Sequence, residues 1–310
     1  MSQVRQWLQV MQMNQTPFDP CFKRSYEMMV ARIKLRITFT LKYRTKFRIK
    51  IELDVKPPSF RKFANRKMNV LQHLIEAKQE QRKLFSLLID PDKTGGNELE
   101  RTVVSAKNAG VDMFFVGGSL LVSNTLFDTV QIIKANCDIP VVLFPGDNMQ
   151  VVPNADAILL LSVISGRNAE MLIGKHVVAA PRLKNSGLEI IPTGYMLIDS
   201  GRPTTASYMS NTNPLPHDKD DIAACTAMAG EMLGMKTIFM DGGSGAQNSV
   251  SPSMVKRVAE HVDVPIIVGG GLKTPEMAKA RFDAGATVVV VGNAIEKDGS
   301  LLKDLISAKF

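Results

Sequence analysis

The C-terminal four fifths of the chain alternates short apolar runs with longer amphipathic stretches. The apolar runs are rich in Val, Ile, Leu and Phe at consecutive positions, which is typical of strands buried on both faces. Eight such strands are predicted: Leu84–Ile89, Asp112–Val116, Pro140–Phe144, Ala157–Leu161, Glu189–Thr193, Thr237–Met240, Pro265–Val268 and Thr287–Val291.

The stretches between these strands have helical periodicity. Predicted helices include Glu98–Asn108, Thr125–Ala135, Asn168–Val177, Ile222–Leu233, Pro252–His261 and Pro275–Asp283. Alternating strands and helices indicate a parallel sheet with right-handed crossovers. Because eight units within residues 68–310 match the usual size of about 250 residues, we predict an α/β fold, a (β/α)8 TIM barrel; an open doubly wound sheet is the alternative.

One unit of the predicted barrel has little room for its outer helix. The link after the third strand contains Pro145, Gly146 and Pro153, all of which disfavour a helix. We therefore predict one degenerate outer helix after strand three. The link is either a short loop that closes over the core or one side of a groove for a long apolar ligand.

Residues 1–67 differ from the rest in charge and in pattern. They carry 16 Lys or Arg and 4 Asp or Glu, whereas residues 68–310 carry 22 and 26, so the net charge of +8 belongs to the N-terminal extension. Within it, residues 33–56 alternate apolar and polar positions as a strand does, but the run is too long for one strand and lacks a turn residue. Three interpretations of the extension are open: a basic β-ribbon that contacts lipid or nucleic acid, a poorly ordered tail, or a segment that is no part of a protein starting at Met68. We favour the last two, and we predict that residues 68–310 form the barrel domain.

Composition excludes several classes of protein. Apolar residues make up 45% of the chain, which excludes global disorder, and no apolar run reaches the ~20 residues of a membrane span. Three widely spaced cysteines and the absence of HxxH or HxxxH pairs disfavour a disulfide scaffold and a zinc or iron site. We expect a cytoplasmic protein, and no nucleic-acid partner for the mildly acidic barrel.

In a barrel of this kind, the residues that follow each strand form the site. Asp90, Asp92 and Lys93 follow the first strand, and Ser119 follows the second. Carboxylate and hydroxyl oxygens suit Mg²⁺ and lysine suits phosphate, although the same residues are also typical of turns and helix caps.

The later strands are followed by glycine-rich segments. Asp241 begins the run Asp241-Gly242-Gly243-Ser244-Gly245, Gly269 to Gly271 follow the seventh strand, and Gly292-Asn293 follows the eighth. The loops after strands seven and eight bind phosphate in many barrels, so we predict a phosphate site there, with Asp241 as a base for a substrate hydroxyl. The long segment from Tyr195 to Pro216 is predicted to be a lid or substrate loop, in which Arg202 adds a charge for a diphosphate.

Six segments in this order resemble the geranylgeranylglyceryl phosphate synthase family, and the resemblance covers nearly all of residues 69–310. The segments are Leu87–Lys93, Val116–Ser119, Gly194–Asp199, Phe239–Gly245, Val268–Gly271 and Val291–Asn293. The longer loop with Ser210–Pro214 looks like the branch of the family found in archaea and some bacteria.

The resemblance implies a Mg²⁺-dependent TIM-barrel prenyltransferase that joins sn-glycerol 1-phosphate to a prenyl diphosphate, typically geranylgeranyl diphosphate. It implies that Asp90 and Ser119 hold Mg²⁺ and that Asp241 is catalytic, and Lys93 and Arg202 are the added diphosphate contacts. The glycerol phosphate site it implies is Phe239, Met240, Asp241, Gly242, Gly243, Ser244, Gly245, Gly270, Gly271, Gly292 and Asn293.

Two residues depart from the family pattern, because Phe239 stands where Tyr is common and Asp241 where Glu is common. We also expect a homo-oligomer, since the helix with Met228 and Met235 has a methionine-rich surface, and transient contact with a membrane surface. The alternatives are another phosphate-binding barrel enzyme, such as an isomerase or aldolase, or a non-catalytic phosphate-binding protein whose basic tail docks on nucleic acid or membrane.

Overall fold

The computed structural model describes residues 36–37, 51–52, 69–297, 299 and 301–310. The chain divides into two units, Met1–Arg66 and Lys67–Phe310. In the first unit, Arg36–Ile37 pairs antiparallel with Ile51–Glu52. The rest of the alternating segment lies outside the described residues, so the role of the extension stays a prediction.

The second unit is a closed barrel of eight parallel strands, as predicted. The strands are β1 (Leu84–Ile89), β2 (Met113–Val116), β3 (Val141–Leu143), β4 (Ala157–Val163), β5 (Glu189–Leu197), β6 (Thr237–Asp241), β7 (Ile266–Gly269) and β8 (Val288–Val291). Each strand pairs with the next in the chain, and β8 closes the barrel by pairing with β1. The alternative of an open doubly wound sheet is thereby excluded.

Helices surround the barrel and also close one end of it. They are α1 (Val70–Gln79), α2 (Gly96–Ala109), α3 (Leu126–Asn136), α4 (Lys175–Ser186), α5 (Thr205–Ser210), α6 (Asp220–Met232), α7 (Pro252–Ala259), α8 (Pro275–Asp283), α9 (Asn293–Lys297) and α10 (Leu301–Ser307). A π-helical turn, Glu170–Gly174, leads into α4. None of the helices in the described part of the chain has the length and hydropathy needed to cross a bilayer.

Helix α1 precedes the first strand and packs against side chains of the barrel interior. Its buried residues Val70, Leu74 and Ala77 belong to the same core cluster as residues from inside the barrel, such as Met113 and Ile267. This end of the barrel is therefore filled with apolar side chains, and the opposite ends of the strands are left for the site.

Glu189 at the start of β5 fixes the N-terminus of α1. Its carboxylate accepts hydrogen bonds from the backbone N–H groups of Val70, at 2.7 Å, and Leu71, at 3.0 Å. These donors have no partner inside the helix, and the negative charge also suits the positive end of the helix dipole. One carboxylate thus joins α1 to the barrel.

The unit after β3 lacks its outer helix, as predicted. Residues 144–156 form turns and irregular backbone. Gln150 fixes this segment, because its Oε1 accepts from the N–H of Gly146 at 3.0 Å and its Nε2 donates to the carbonyl of Gly118 at 3.2 Å. The loop after β3 is therefore tied to the loop after β2, on the side where the strands end.

Three strands, β4, β5 and β6, are longer than predicted, and the extensions of β5 and β6 affect the site. Strand β5 continues through Gly194 and Tyr195 to Leu197, so the prediction that a loop begins at Tyr195 was wrong. This extension pairs with β4 and β6, and the lack of a side chain at Gly194 leaves room for Ile164, since a Cβ there would lie 2.8 Å from it. Strand β6 includes Asp241, whose carbonyl accepts from the N–H of Ile198 at 2.9 Å. The backbone of Asp241 is therefore held in the sheet.

Candidate active site

The carboxyl ends of the strands surround a cavity of about 630 Å³, which we call the polar cavity. Its walls come from the loops after β1, β2, β5, β6, β7 and β8. The sequence-predicted residues that line it are Asp90, Lys93, Ser119, Arg202, Phe239, Asp241, Gly243, Ser244, Gly245, Gly270, Gly271, Gly292 and Asn293. Most of the predicted site residues are thus brought together.

Met240 and Gly242 are the two predicted residues that do not line the polar cavity. Met240 is fully buried in the core cluster outside the barrel, since neighbouring strand residues point to opposite faces. Gly242 is buried, and its N–H donates to the carbonyl of Gly269 at 3.1 Å. Both residues therefore belong to the packing and backbone pairing of the strand end, and their predicted contact with glycerol phosphate stays a prediction.

The glycine-rich loops approach one another too closely to carry side chains. A Cβ at Gly270, which has φ +82°, would lie 2.6 Å from both Asp241 Oδ1 and the nitrogen of Gly242. Gly243 has φ +86°, and a Cβ there would lie 2.7 Å from Thr204 Oγ1. Because no side chain stands on these glycines, a ligand such as a phosphate can approach the backbone of the loops closely.

Asp241 is the buried carboxylate of the polar cavity, only 7% exposed. Its Oδ2 accepts a hydrogen bond from the Tyr195 hydroxyl at 2.6 Å, and its Oδ1 accepts from the N–H of Gly243 at 2.7 Å. Burial raises the pKa of Asp241, and the two hydrogen bonds partly oppose that rise. A carboxylate with a raised pKa is a stronger proton acceptor than a solvated one.

Four aromatic rings fill the barrel interior beneath Asp241. Phe239 stacks on Phe144 with ring centroids 4.9 Å apart and an interplanar angle of 10°, and it also contacts Phe115 and Tyr195. Phe239 is 1% exposed, so its ring forms the floor of the cavity and offers no polar contact there.

Asp90 and Ser119 lie at another corner of the polar cavity. The Lys93 ammonium forms an ion pair with Asp90 Oδ2 at 2.9 Å, and Asp90 Oδ1 accepts from the N–H of Asp92 at 3.1 Å. Asp92 itself serves the loop after β2, since its carboxylate accepts from the N–H groups of Val122, at 2.7 Å, and Ser123, at 3.1 Å. Both carboxylates line the cavity, but Asp92 also hydrogen-bonds to another loop, whereas Asp90 pairs with Lys93 and Asp92 of its own loop. Asp90 is therefore the better placed of the two to bind a ligand.

Arg202 is exposed and lines the polar cavity, and its predicted contact with a diphosphate stays a prediction. Its Nη2 donates to the carbonyl of Gly245, so the guanidinium joins this segment to the loop after β6. The short helix α5 follows and begins with a capping box formed by Thr204 and Ser207. The predicted substrate loop is thus partly helical.

A second, smaller cavity of about 110 Å³ opens where the outer helix is missing; we call it the apolar groove. Strand β4, the loop after β3, the residues around α4 and the end of α5 form its walls. Side chains that line it include Val151, Ile158, Leu160, Met171, Ala179 and Leu183. Ser119 and Phe144 line both cavities, so the apolar groove adjoins the polar cavity beside Asp90.

Tyr195 is the residue of the site to which the sequence assigned no role. It lies in the Gly194-Tyr195 segment quoted for the family resemblance, but the predicted strand ended before it. Only the pairing of Tyr195 with Phe239 across β5 and β6 brings its hydroxyl to Asp241, two residues further along β6. The pairing register of β5 with β6 could not be predicted from the sequence alone, so the contact between Tyr195 and Asp241 was missed.

A closed barrel of eight parallel strands, with a cavity at the carboxyl ends of the strands and glycine-rich loops after β6 and β7, defines a (β/α)8 barrel of the kind found in enzymes. Comparison with known proteins specifies it further. Residues 76–309 match the PcrB family, and the chain belongs to that family, whose relatives identify it as a prenyltransferase. The predicted resemblance, fold and enzyme class are thereby confirmed.

Two curated relatives and one solved structure illustrate the similarity. The geranylgeranylglyceryl phosphate synthase of Chitinophaga pinensis is 56% identical over 77% of this chain and 95% of its own length. That of Spirosoma linguale is 52% identical over 72% and 90%. The crystal structure of (S)-3-O-geranylgeranylglyceryl phosphate synthase from Thermoplasma acidophilum, in complex with its substrate sn-glycerol-1-phosphate, has a TM-score of 0.74 and 32% identity over 78% and 98%.

Proposed function

We propose that the enzyme transfers a geranylgeranyl group from geranylgeranyl diphosphate to the hydroxyl of sn-glycerol 1-phosphate. The observation that carries this proposal is the junction of the two cavities at Ser119 and Phe144. A polar acceptor and an apolar donor need adjoining sites of opposite character, and a water-soluble sugar phosphate needs no apolar groove. The names of the relatives and the acceptor bound in the Thermoplasma acidophilum structure agree with this choice.

The acceptor is assigned to the polar cavity. Its phosphate is held by the backbone around Gly270, Gly271 and Gly292. The hydroxyl of Ser244 and the side-chain amide of Asn293 line the same part of the cavity. Its reacting hydroxyl faces Asp241, which takes the proton as the new C–O bond forms. Fixing the hydroxyl next to the allylic carbon contributes through orientation, and the raised pKa of Asp241 contributes through basicity.

The donor is assigned to both cavities, with the prenyl chain in the apolar groove and the diphosphate near Asp90. Lys93 and Arg202 line the cavity and would form ion pairs with the diphosphate, so that positive charge lies where the leaving group gains negative charge. The Lys175 ammonium and the Asp147 carboxylate, 2.8 Å apart, join the two walls of the apolar groove. This pair holds the loop after β3 against α4 and keeps the groove shaped for a chain.

The oxygen ligands at the junction fit Mg²⁺. Among the described residues, no three His, Cys, Asp or Glu side chains lie together as a metal cluster, so a metal here depends on few protein ligands. Mg²⁺ is commonly bound by one or two protein oxygens together with substrate phosphates and water, and Asp90 and Ser119 supply such oxygens. When bound there, Mg²⁺ would neutralise charge on the leaving diphosphate.

The wider setting of the reaction is also part of the proposal. The product is an amphipathic ether lipid, so we infer a cytoplasmic enzyme that contacts a membrane surface transiently when the lipid leaves. We also infer a homo-oligomer, because Met232 and Leu233 at the end of α6 are 82% and 77% exposed. Sedimentation of the full chain tests the second inference directly.

The test of the function is a coupling assay with the full chain, labelled sn-glycerol 1-phosphate, Mg²⁺ and a series of prenyl diphosphates. We expect labelled lipid in an organic extract, greatest with the C20 donor and abolished by EDTA. Asp90→Asn is expected to lose at least about 100-fold in kcat, as is typical when an electrostatic contact of the transition state is removed. The exposed Asp218→Asn is the matched control and is expected to keep wild-type activity.

Two outcomes would contradict the proposal. If no prenyl diphosphate gives lipid although the folded protein binds glycerol phosphate, another reaction of a phosphate-binding barrel, such as isomerisation or aldol cleavage, replaces it. If Asp90→Asn and Asp218→Asn are equally active, the metal and diphosphate corner has been assigned to the wrong residues.

A further inference from the structure

Tyr195 stands at the boundary between the two cavities. Its ring lines the apolar groove, and its hydroxyl donates to Asp241 Oδ2 in the polar cavity at 2.6 Å. No other side chain in the described residues donates a hydrogen bond to this carboxylate, whose other oxygen accepts from the N–H of Gly243. Tyr195 therefore controls one of the two contacts that orient Asp241.

The ring of Tyr195 is fixed on its own side. It contacts Phe239 with ring centroids 5.6 Å apart and Phe144 with centroids 6.2 Å apart. The residue is 7% exposed and belongs to the core cluster of the barrel interior. A ring packed in this way allows its hydroxyl few alternative directions, so the hydrogen bond to Asp241 is pre-formed before substrate binds.

The hydroxyl also stays protonated. Burial raises the pKa of Tyr195 well above 10, and the neighbouring Asp241 charge raises it further. The Tyr195 hydroxyl is therefore protonated at neutral pH and donates to Asp241, which is the member of the pair that titrates on the acidic side. A donor to a carboxylate favours the ionised form, so Tyr195 opposes the effect of burial on Asp241.

We propose that Tyr195 is a positioning residue, whose hydroxyl holds the Asp241 carboxylate in its ionised, proton-accepting orientation. The inference rests on the proposed function, and it adds to the site a residue that does not itself react. In the reaction, the acceptor oxygen forms a bond to the allylic carbon and its proton goes to Asp241. The allylic C–O bond breaks, its electron pair leaves with the diphosphate, and Tyr195 keeps its proton throughout.

Other charges surround the polar cavity and set the background for any pH effect. The other ionisable side chains that line it are Asp90, Asp92, Lys93, Arg202 and Lys273. Removing the Tyr195 hydroxyl leaves all of them in place. A change in the pH profile of that variant therefore reports on Asp241.

The experiment compares Tyr195→Phe with Tyr208→Phe in the full chain. Tyr208 lies on α5, is 83% exposed and lines neither cavity, so the control removes the same atom from the surface. For Tyr195→Phe we expect kcat at the pH plateau to fall about 10- to 100-fold, with the KM for the prenyl diphosphate within about 2-fold of wild type. Because the pKa of Asp241 rises when a donor is lost, the acidic limb of the kcat profile should move about one unit to higher pH.

Two results would overturn the inference. One is a Tyr195→Phe enzyme whose plateau kcat and acidic limb match those of Tyr208→Phe. The other is a defect confined to the KM for the prenyl diphosphate, which would make Tyr195 a groove residue only. Both readings require that the variant is folded, which circular dichroism and the unfolding midpoint establish.

A second measurement does not depend on the reaction. In protein labelled with ¹³C at the aspartate carboxyl carbons, Asp241→Asn identifies the signal of Asp241, and its titration gives the pKa directly. We expect a higher pKa in Tyr195→Phe than in wild type, and an unchanged value overturns the inference. If wild type makes no prenylated lipid, the proposed function fails, whereas this titration still decides whether Tyr195 holds Asp241 ionised.

Discussion

Gly270 is the position at which a single added methyl group should do the most damage to the site. Its φ of +82° is a conformation that an L-residue adopts only with strain. A Cβ there would lie 2.6 Å from Asp241 Oδ1 and 2.7 Å from the nitrogen of Gly243, the two atoms that form one of the hydrogen bonds orienting Asp241. Gly270→Ala therefore forces apart the carboxylate and its backbone donor.

The expected magnitude has two parts. The left-handed backbone costs about 1–2 kcal/mol for alanine. Loss of the hydrogen bond from Gly243 to a charged, buried acceptor adds about 1.5–3 kcal/mol. We therefore expect Gly270→Ala to lower the free energy of unfolding by about 2.5–5 kcal/mol. If Asp241 is the base, as proposed, a misplacement of its carboxylate by about 1 Å should also reduce kcat about 100-fold.

Gly110→Ala is the matched control for the backbone part. Gly110 follows helix α2 with φ +89°, and nothing lies within 4 Å of the position its Cβ would occupy. Urea unfolding of both variants separates the two contributions, since the control should lose only about 1–2 kcal/mol and keep wild-type kcat. The coupling assay measures kcat, and binding of sn-glycerol 1-phosphate by calorimetry measures the state of the phosphate loops.

Equal effects in the two variants would refute this reasoning. If Gly270→Ala lost no more stability than Gly110→Ala and kept its activity, the loop after β7 would have room to move away from Asp241. The close approach of the two loops would then have no part in orienting the carboxylate.

Three further predictions concern polar groups that are buried or half-buried. Arg281→Met should lower the free energy of unfolding by about 2–4 kcal/mol in urea titrations, because the buried guanidinium donates to three acceptors, among them the carbonyl of Val250 at 2.9 Å; Arg281→Lys should recover part of the loss. Glu189→Gln should cost about 0.5–2 kcal/mol by the same assay, and hydrogen exchange should show the loss concentrated in α1. Burial lowers the pKa of His176 below 6.5, so the unfolded chain binds a proton more readily than the folded protein does. The contribution of His176 to the free energy of unfolding is therefore fully present above pH 6.5 and is lost as the pH falls below it. His176→Asn should flatten this pH dependence in unfolding midpoints measured from pH 7 to pH 5.

The fold was predictable because its information is local. Strands such as Val288–Val291 are buried on both faces, and a run of consecutive β-branched residues predicts such a strand. Helices α7 and α8 begin with Ser251-Pro252 and Thr274-Pro275, in which a capping hydroxyl precedes a proline at the first helical position. Such features depend on near neighbours in the chain, so they can be predicted from the sequence alone.

The details that escaped prediction depend on contacts between distant segments. The strand predicted to end at Thr193 continues because Gly194 to Leu197 pair with β6, a segment distant in the chain. The extent of α4 was likewise underestimated, since the helix predicted to end at Val177 runs to Ser186 through Pro181. Tyr195 could not be assigned to Asp241, because their contact depends on the pairing of β5 with β6.

The orientation of Asp241 depends on three neighbouring strands at once. Tyr195 from β5 supplies a donor, Asp241 itself ends β6, and Gly270 after β7 leaves the space that the carboxylate occupies. The pairing register sets this arrangement, with Leu197 opposite Asp241 on one side and Gly269 opposite it on the other. A slip of one residue in either pairing would turn Asp241 away from the cavity, since alternate strand residues face opposite sides. The carboxylate of Asp241, the proposed base, is therefore oriented by the same strand pairing that closes the barrel, and variants that loosen β5 or β7 should lose activity before they unfold.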